Sequence, residues 1–404
     1  MQKKQFWRKI RIMSNEIDIP TWISEKFKEY YSKTFISVYE IEKREFGFGG
    51  YDKKIEYRHL SFSSNSELNK KLALDGPHYV SYSAAYYLYP SARPMQKKNW
   101  LGADLVFDLD AQDDKLFFPF TSPASLEKIK QKMLILLNIL LEDFGINKNE
   151  IELNFSGSRG YHLWVKSPQI KPLGRYARKE IADYIDGTDI DLSKFFKLQQ
   201  FDEDFQLLGP KPTDSAYAKR LFNLIKNLFK DDKRLISYFG KNFSKAALKQ
   251  KALADLEKGQ WTLFLQFDRK PTPEGLQKAK EKFILALNKF VESEAKLNLG
   301  WDVDLDTQVS ADTSKLLRLP NSLHGGSGLI AKTIPLDKLN DFDPFKDALA
   351  FSMQKEQRIK TLLDIPAFSF GGKDFDKIKK ETIIDLPEAY AIYLVCKKAA
   401  IVLE

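Results

Sequence analysis

One cysteine, Cys396, is the only thiol in 404 residues. That excludes an internal disulfide. It also excludes a Cys-based zinc site or an iron–sulfur cluster held by a single chain. A reducing, cytoplasmic setting fits. Histidine is scarce too, with four residues: His59, His78, His162 and His324. Arginine supplies only 13 of the 64 basic residues, so an Arg beside a chemical motif carries more information than a Lys. No apolar run reaches the ~18 residues that span a bilayer, so no membrane partner is expected. The segment Met1–Met13 is basic, with Phe6, Trp7, Ile10 and Ile12. It lacks the apolar core and small-residue cleavage site of a signal peptide. It reads as a surface arm, or as a start placed upstream of a true one at Met13.

What is present suits a packed core. The chain is 43% hydrophobic and 13% aromatic, long enough for one large domain or two ordinary ones. The net charge of +9 favours a polyanionic partner, although the surplus is spread along the chain.

The most informative stretch is Ala103–Asp110. Leu105, Phe107 and Leu109 alternate with Asp104, Val106, Asp108 and Asp110. This pattern predicts a strand with one apolar and one acidic face. Two carboxylates two residues apart repel each other unless solvated or bridged by a divalent cation. On its own such a pair is more often a solvated strand face. A second motif, Phe155–His162, reads as strand, small-residue loop, strand. Gly157 and Gly160 let backbone N–H groups approach an anion. Ser156 and Ser158 add hydroxyls, and Arg159 adds a planar fork suited to phosphate. A third, Ala311–Gly326, combines Asp312, Arg318 on a short strand, a Pro break and His324 entering a Gly-rich turn. Two of the four histidines end these motifs, and His59 sits beside Arg58 in another basic strand. That clustering of a rare residue points to one shared site.

The rest of the chain is read more coarsely. Helices are expected over Pro20–Phe35 and Ser125–Phe144, the second with Ser125 as N-cap and Gly145 as stop. Arg44–Phe62 reads as a hairpin, and Glu150–Phe155 and Tyr161–Lys166 as strands. From Pro210 to Leu299 the pattern is Lys-rich and helical, with Trp261–Phe267 a short strand or buried turn. Sheet patterning returns over Trp301–Val309, Leu316–Leu319 and Leu329–Ile334, and Pro387–Lys398 reads as a closing helix. The expected division is an α/β domain from residues 1–208 and 300–404, with a mainly helical subdomain, 209–299, inserted in it.

Taken together the chain resembles the catalytic (small) subunit of archaeal and eukaryotic DNA primases. The matching stretches are Arg44–Phe48, Tyr57–Phe62, Trp100–Asp110, Ser156–His162 and Leu317–Gly325, in the family's order, with Phe368–Gly372 similar to archaeal members. The resemblance implies an α/β (α+β) primase-type core with mixed sheets and an inserted helical subdomain. It implies template-directed synthesis of primers on single-stranded DNA from nucleoside triphosphates, alongside a primase large subunit. It assigns metal ligation, by two Mg²⁺ or Mn²⁺ ions, to Asp108, Asp110 and Asp312. It assigns triphosphate contacts to Ser156, Arg159, His162, Arg318 and His324. Arg44, Glu45 and Arg58 fall in matching segments without an assigned role. Family members often carry a zinc knuckle after the acidic strand. Here Ala111–Ser125 has neither Cys nor His, so no zinc is expected, and Phe117, Phe118 and Phe120 are expected to pack in its place. Two other readings stay open: a primase-like repair or gap-filling polymerase, and a non-catalytic nucleic-acid-binding subunit. The choice between ribo- and deoxynucleotides is not written in these motifs.

Overall fold

The computed structural model describes residues 17–111, 117–188, 190–201, 204–266, 272–295 and 312–403. The expected arm Met1–Met13 and the expected strand Trp301–Val309 lie outside them. The chain divides into two compact units. One is Met1–Gln131, Lys148–Lys179 and Asp306–Glu404; the other is Lys132–Asn147 and Glu180–Leu305. The described residues of 209–299 fall in the second unit, which also takes in 132–147 and 180–208.

The first unit opens with helix α1 (Ile19–Lys33), which buries Ile23, Phe27 and Tyr31 at four-residue spacing. The hairpin expected over Arg44–Phe62 forms from β1 (Phe46–Gly49) and β2 (Tyr57–Leu60), with Phe46 opposite Leu60. Helix α2 (Asn65–Asp75) is capped by the Ser64 hydroxyl, which accepts from Glu67 N, and closed by Gly76 at positive φ. Strands β3 (Tyr79–Ser83), β4 (Ala85–Tyr87), β5 (Trp100–Ala103) and β6 (Leu105–Asp110) follow. Helix α3 (Pro123–Glu142) starts two residues before Ser125. Ser125 is therefore inside the first turn, and the Ser122 carbonyl accepts the opening bond from Leu126 N; Pro123, with φ fixed and no N–H to satisfy, suits that first turn. Gly145 does end the helical run, at φ 64°. Strands β7 (Ile151–Phe155) and β8 (Gly160–Val165) come next, then helix α4 (Arg175–Asp186); α3 from residue 132 and α4 from residue 180 are counted in the second unit.

The second unit contains a hairpin of β9 (Lys197–Phe201) and β10 (Asp204–Leu208). Helices α5 (Ala216–Leu228), α6 (Asp232–Phe239), α7 (Ala246–Leu256) and α8 (Pro273–Phe290) surround a Phe-rich core with Trp261 at its centre. Trp261 is fully buried, and its indole N–H donates to Pro210 O at 2.9 Å, so the polar edge of the ring is satisfied. Of the Trp261–Phe267 segment the described part, residues 261–266, is a turn with Trp261, Phe264 and Leu265 buried and a short 3₁₀ turn over Thr262–Leu265; Phe267 lies outside the described residues.

The chain returns to the first unit with β11 (Leu316–Arg318) and β12 (Thr333–Ile334), the latter shorter than the expected Leu329–Ile334. Helix α9 (Pro344–Asp347), strands β13 (Glu356–Thr361), β14 (Phe368–Phe370), β15 (Lys373–Phe375) and β16 (Ile383–Pro387), helix α10 (Glu388–Cys396) and β17 (Ala400–Val402) complete it. Two four-stranded sheets carry the site residues, in the orders β11-β3-β1-β2 and β12-β7-β8-β6. In the second sheet β6 and β7 both pair antiparallel to β8, so they run parallel to each other with α3 as their crossover. The architecture is the mixed α/β class expected. Of the three phenylalanines expected to fill in for the knuckle, Phe120 is buried against Tyr393, ring centroids 6.1 Å apart. Phe118 instead stands 67% exposed.

Candidate active site

The register of β6 on β8 builds the first part of the site. Asp108 lies opposite His162 and Asp110 opposite Gly160. Leu105, Phe107 and Leu109 turn inward and are buried. The expected acidic face is open only at its C-terminal end. Val106 is buried, and Asp104 is drawn into a buried ion pair with Arg44 at 2.6 Å. Gly160 is required where it stands: a Cβ there would collide with Asp110 Oδ1 and Leu109 O.

Each acid has a basic neighbour. His162 Nε2 is 3.3 Å from Asp108 Oδ1, and Arg159 Nε is 3.3 Å from Asp110 Oδ2. The two carboxyls are pushed in opposite directions. Burial raises Asp108, but the charge and hydrogen bond of His162, with Lys315 and Lys54, outweigh it and hold the carboxyl below the usual range. Burial, then the negative charge of Asp108, raises Asp110 despite Arg159 and His162. Asp108 Oδ1 is shielded from solvent and accepts no well-directed hydrogen bond. That oxygen keeps unused lone-pair capacity for a further donor or a cation.

The Ser156–Gly160 loop is tied across itself. Ser156 Oγ accepts from Gly160 N at 3.1 Å, and Ser156 N donates to Gly160 O at 2.8 Å. Gly157 holds φ at 86° and sits against His324; a Cβ on it would come within 2.7 Å of His324 Cβ. Its carbonyl accepts the Ser327 hydroxyl. The second and third motifs are therefore in direct contact. His324 Nδ1 accepts from Gly326 N at 3.1 Å, which leaves the ring proton on Nε2 as a donor. Burial, together with the charges of Arg318, Lys397, Lys54 and Arg159, pushes this imidazole well below its usual pKa, so it is neutral.

Arg318 stands on β11 opposite Ser81 of β3. Its guanidinium lies 4.8 Å over the Tyr79 ring, which also meets the His324 ring edge-on at 5.3 Å. Nη1 donates to Val80 O at 3.2 Å, while Nε is buried without a hydrogen-bond partner. Burial pulls this group down to about 10, still charged at neutral pH.

Asp312 is placed differently. It is exposed, and its Oδ1 accepts from Ser314 N at 2.8 Å and Ser314 Oγ at 2.7 Å. Among the described residues no three His, Cys, Asp or Glu side chains converge closely enough to hold a metal ion. Asp312 is thus not gathered with Asp108 and Asp110 here. It is linked instead to the β1–β2 hairpin. Arg58 donates to Ser314 O at 3.0 Å and to the fully buried Glu45 at 2.7 Å. Glu45 also faces Lys98 at 3.3 Å and His59 at 3.2 Å. His59, at φ 66°, is accounted for by that contact rather than by the site shared by His162 and His324. Sequence reasoning missed Lys54 and Lys315, whose charges reach Asp108. Lys54 lies in a hairpin loop and had no signal among so many lysines.

The model of the DNA primase small subunit family matches residues 107–335. Among similar curated proteins are the DNA primase small subunit PriS of Methanosarcina acetivorans, 33% identical over 94% of this chain and 95% of its own, and that of Methanosarcina barkeri, 34% identical over the same shares. The PriS protein of Archaeoglobus fulgidus is 31% identical over 93% of this chain and 96% of its own. The chain belongs to the DNA primase small subunit family. The matched span runs from before Asp108 to beyond His324, so all eight residues singled out above fall within a primase small-subunit sequence. Arg44, Glu45 and Arg58 precede it. No described helix is long and apolar enough to cross a membrane.

Proposed function

We propose that this chain is the catalytic subunit of a DNA primase, a nucleotidyltransferase that makes short primers on single-stranded DNA from nucleoside triphosphates. The observation that carries the reading is the junction of an acidic and a basic half. Asp108 and Asp110 end β6, and Arg159 and Gly157 begin the loop that touches His324. The reaction class is attack of a 3′-hydroxyl on an α-phosphorus, with the bond to the bridging oxygen breaking and pyrophosphate leaving.

The acidic half fits Mg²⁺ or Mn²⁺: all-oxygen donors, one of them buried without a well-directed hydrogen bond, on two carboxyls of which Asp110 bears the charge of Asp108. Asp108 and Asp110 would hold the metal, with Asp312 the third acid. When bound, a pair of such ions supplies Lewis-acid stabilisation of the charge that builds on the triphosphate. The protein does the rest. Arg159, His162, Arg318 and His324 grip the β- and γ-phosphates. Arg159, 3.3 Å from Asp110 and 40% exposed at its side chain, is placed to turn from that carboxylate to phosphate oxygens. Neutral His324 donates from Nε2. Ser156 keeps the loop closed so that Arg159 is aimed.

The relatives are named small subunits, so a primase large subunit is the expected partner, in a cytoplasmic replication setting. The test is labelled-nucleotide incorporation on a single-stranded template with and without a supplied primer. Synthesis without primer is expected. Extension of supplied primers alone would make the chain a gap-filling polymerase, and template binding without synthesis would make it a non-catalytic subunit.

A further inference from the structure

Between Asp75 and Asp104 the sequence contains no acidic residue, yet it carries Arg93, Lys97 and Lys98 and six aromatic rings of Tyr and Trp. Part of this stretch forms a two-stranded ribbon. β4 and β5 pair Ala85 with Ala103 and Tyr87 with Trp100. Leu88 N donating to Asn99 O and Tyr89 N donating to Lys98 O, both at 3.0 Å, carry the pairing onward. The root is packed, with Ala85, Tyr87 and Ala103 buried together and Met95 against them. The outer part is not. Leu88 is 52% exposed, Tyr89 56%, Trp100 43% and Leu101 46%, and the neighbouring Arg93 and Lys97 are exposed as well.

Single exposed apolar residues need no explanation, but four adjacent ones on one ribbon mark an interaction surface. The charges carried by the stretch itself are of one sign only, and the acids that meet it, Glu45 at Lys98 and Asp104 at Tyr86, lie at its buried side and not beside Tyr89 or Trp100. The chemistry that satisfies flat apolar faces and cations together is a single-stranded nucleic acid, whose bases offer unstacked faces and whose backbone offers phosphates. A duplex hides those base faces. The ribbon is also tied to the segment that carries Asp312. Arg93 Nη2 donates to Arg58 O at 3.1 Å, and Arg58 in turn holds Ser314 O at 3.0 Å, next to the Ser314 bonds to Asp312. Lys98, buried against Glu45, pins the ribbon's loop to the same hairpin.

We propose that the β4–β5 ribbon is a stacking track for the single-stranded template, with Tyr89 and Trp100 as the base platforms and Arg93 and Lys97 as backbone contacts. This rests on the primase reading for the identity of the strand, but its test reads binding and not synthesis, so the two fail separately. An oligo-dT strand is titrated into the full chain by fluorescence anisotropy. Tyr89→Ala and Trp100→Ala should each weaken binding roughly tenfold, the scale of one lost base–aromatic stack. Tyr89→Phe and Trp100→Phe should stay near wild type, and nucleoside triphosphate affinity should not change in any of the four. Arg93→Gln with Lys97→Gln should flatten the log–log salt dependence by about 0.7 for each contact removed. Should an alanine variant fail to fold, photo-crosslinking of the unmodified chain to a bromodeoxyuridine-substituted strand decides, with adducts expected at Tyr89 or Trp100. Unchanged affinity and salt slope, or crosslinks confined to other segments, overturns the proposal. So does a Trp100→Ala chain that keeps its strand affinity and loses a primase large subunit, which would make the ribbon a protein-docking surface.

Discussion

Asp108 and Asp110 share one end of one strand, and desolvation raises both, yet they shift in opposite directions, because only Asp108 has an imidazole in hydrogen-bonding reach and Asp110 must also bear its neighbour's charge. The consequence for stability has a definite sign. A carboxyl raised on folding opposes the folded state while ionised, and that penalty is relieved as pH falls through the interval between its folded and its ordinary values. Asp110→Asn should therefore raise the melting temperature at neutral pH, with the gain fading below the ordinary aspartate range near ~4. A lower melting temperature at pH 7 would show that the Arg159 pair outweighs the repulsion. Asp108 has the reverse sign: its contribution is present above the ordinary aspartate value and is lost as pH falls through its lowered one. Arg318→Ala should weaken nucleotide binding by about 1.5–3 kcal/mol, the scale of a charge-assisted hydrogen bond. Arg318→Lys should recover part of that, since the point charge stays and the fork goes. Isothermal titration with a nucleoside triphosphate measures both, and equal affinities in all three chains would remove Arg318 from the site. At this scale Asp108, Asp110, Arg159, His162, Arg318 and His324 were legible because each is a rare or paired type inside a periodic pattern. Lys54 and the Glu45–Arg58–Ser314 chain were not, because tertiary contact and not spacing brings them in.

Elements aim these residues, and two positions test that. Gly157 combines a positive φ with contact on His324. Gly157→Ala should cost about 1–2 kcal/mol from the left-handed backbone alone, and it should also separate the loop from the 324–327 turn. Lower stability together with lower nucleotide affinity is expected; unchanged nucleotide affinity would mean that the loop and the turn act independently. Arg44 leads into β1 and is almost wholly buried. It donates to Ser83 O, Ala84 O and Asp104, and lies 3.5 Å over the Tyr86 ring. Removing one partner of a buried ion pair strands the other, so Arg44→Ala should lose about 3–5 kcal/mol in denaturant unfolding. A loss under 1 kcal/mol would show that water reaches Asp104. The strands carrying the motifs and the long amphipathic α3 were readable to within about two residues, because burial on one face imposes a period. The β9–β10 hairpin was not, since Lys197-Leu198-Gln199-Gln200 offers little apolar alternation. Helix α6 was covered only by the general helical reading of Pro210–Leu299, because eight residues are too few to set bounds of their own.

For the whole molecule, sequence order and chemistry together gave the family, and similarity along almost the entire chain bears it out. The assembled site was less legible. An acid, a loop and a histidine from three stretches do not announce their distances, and Asp312 stands apart from the other two acids here. The measurement that bears most directly on the central claim, that the β6 acids are catalytic, is metal-dependent incorporation of labelled nucleotide on unprimed single-stranded DNA. It should compare wild type with Asp108→Ala, each with its large subunit present and each checked for an unchanged fold. The account predicts synthesis that needs Mg²⁺ or Mn²⁺, stops on chelation and falls by ~100-fold or more in the variant. A folded Asp108→Ala chain that keeps more than a few per cent of wild-type synthesis would contradict it.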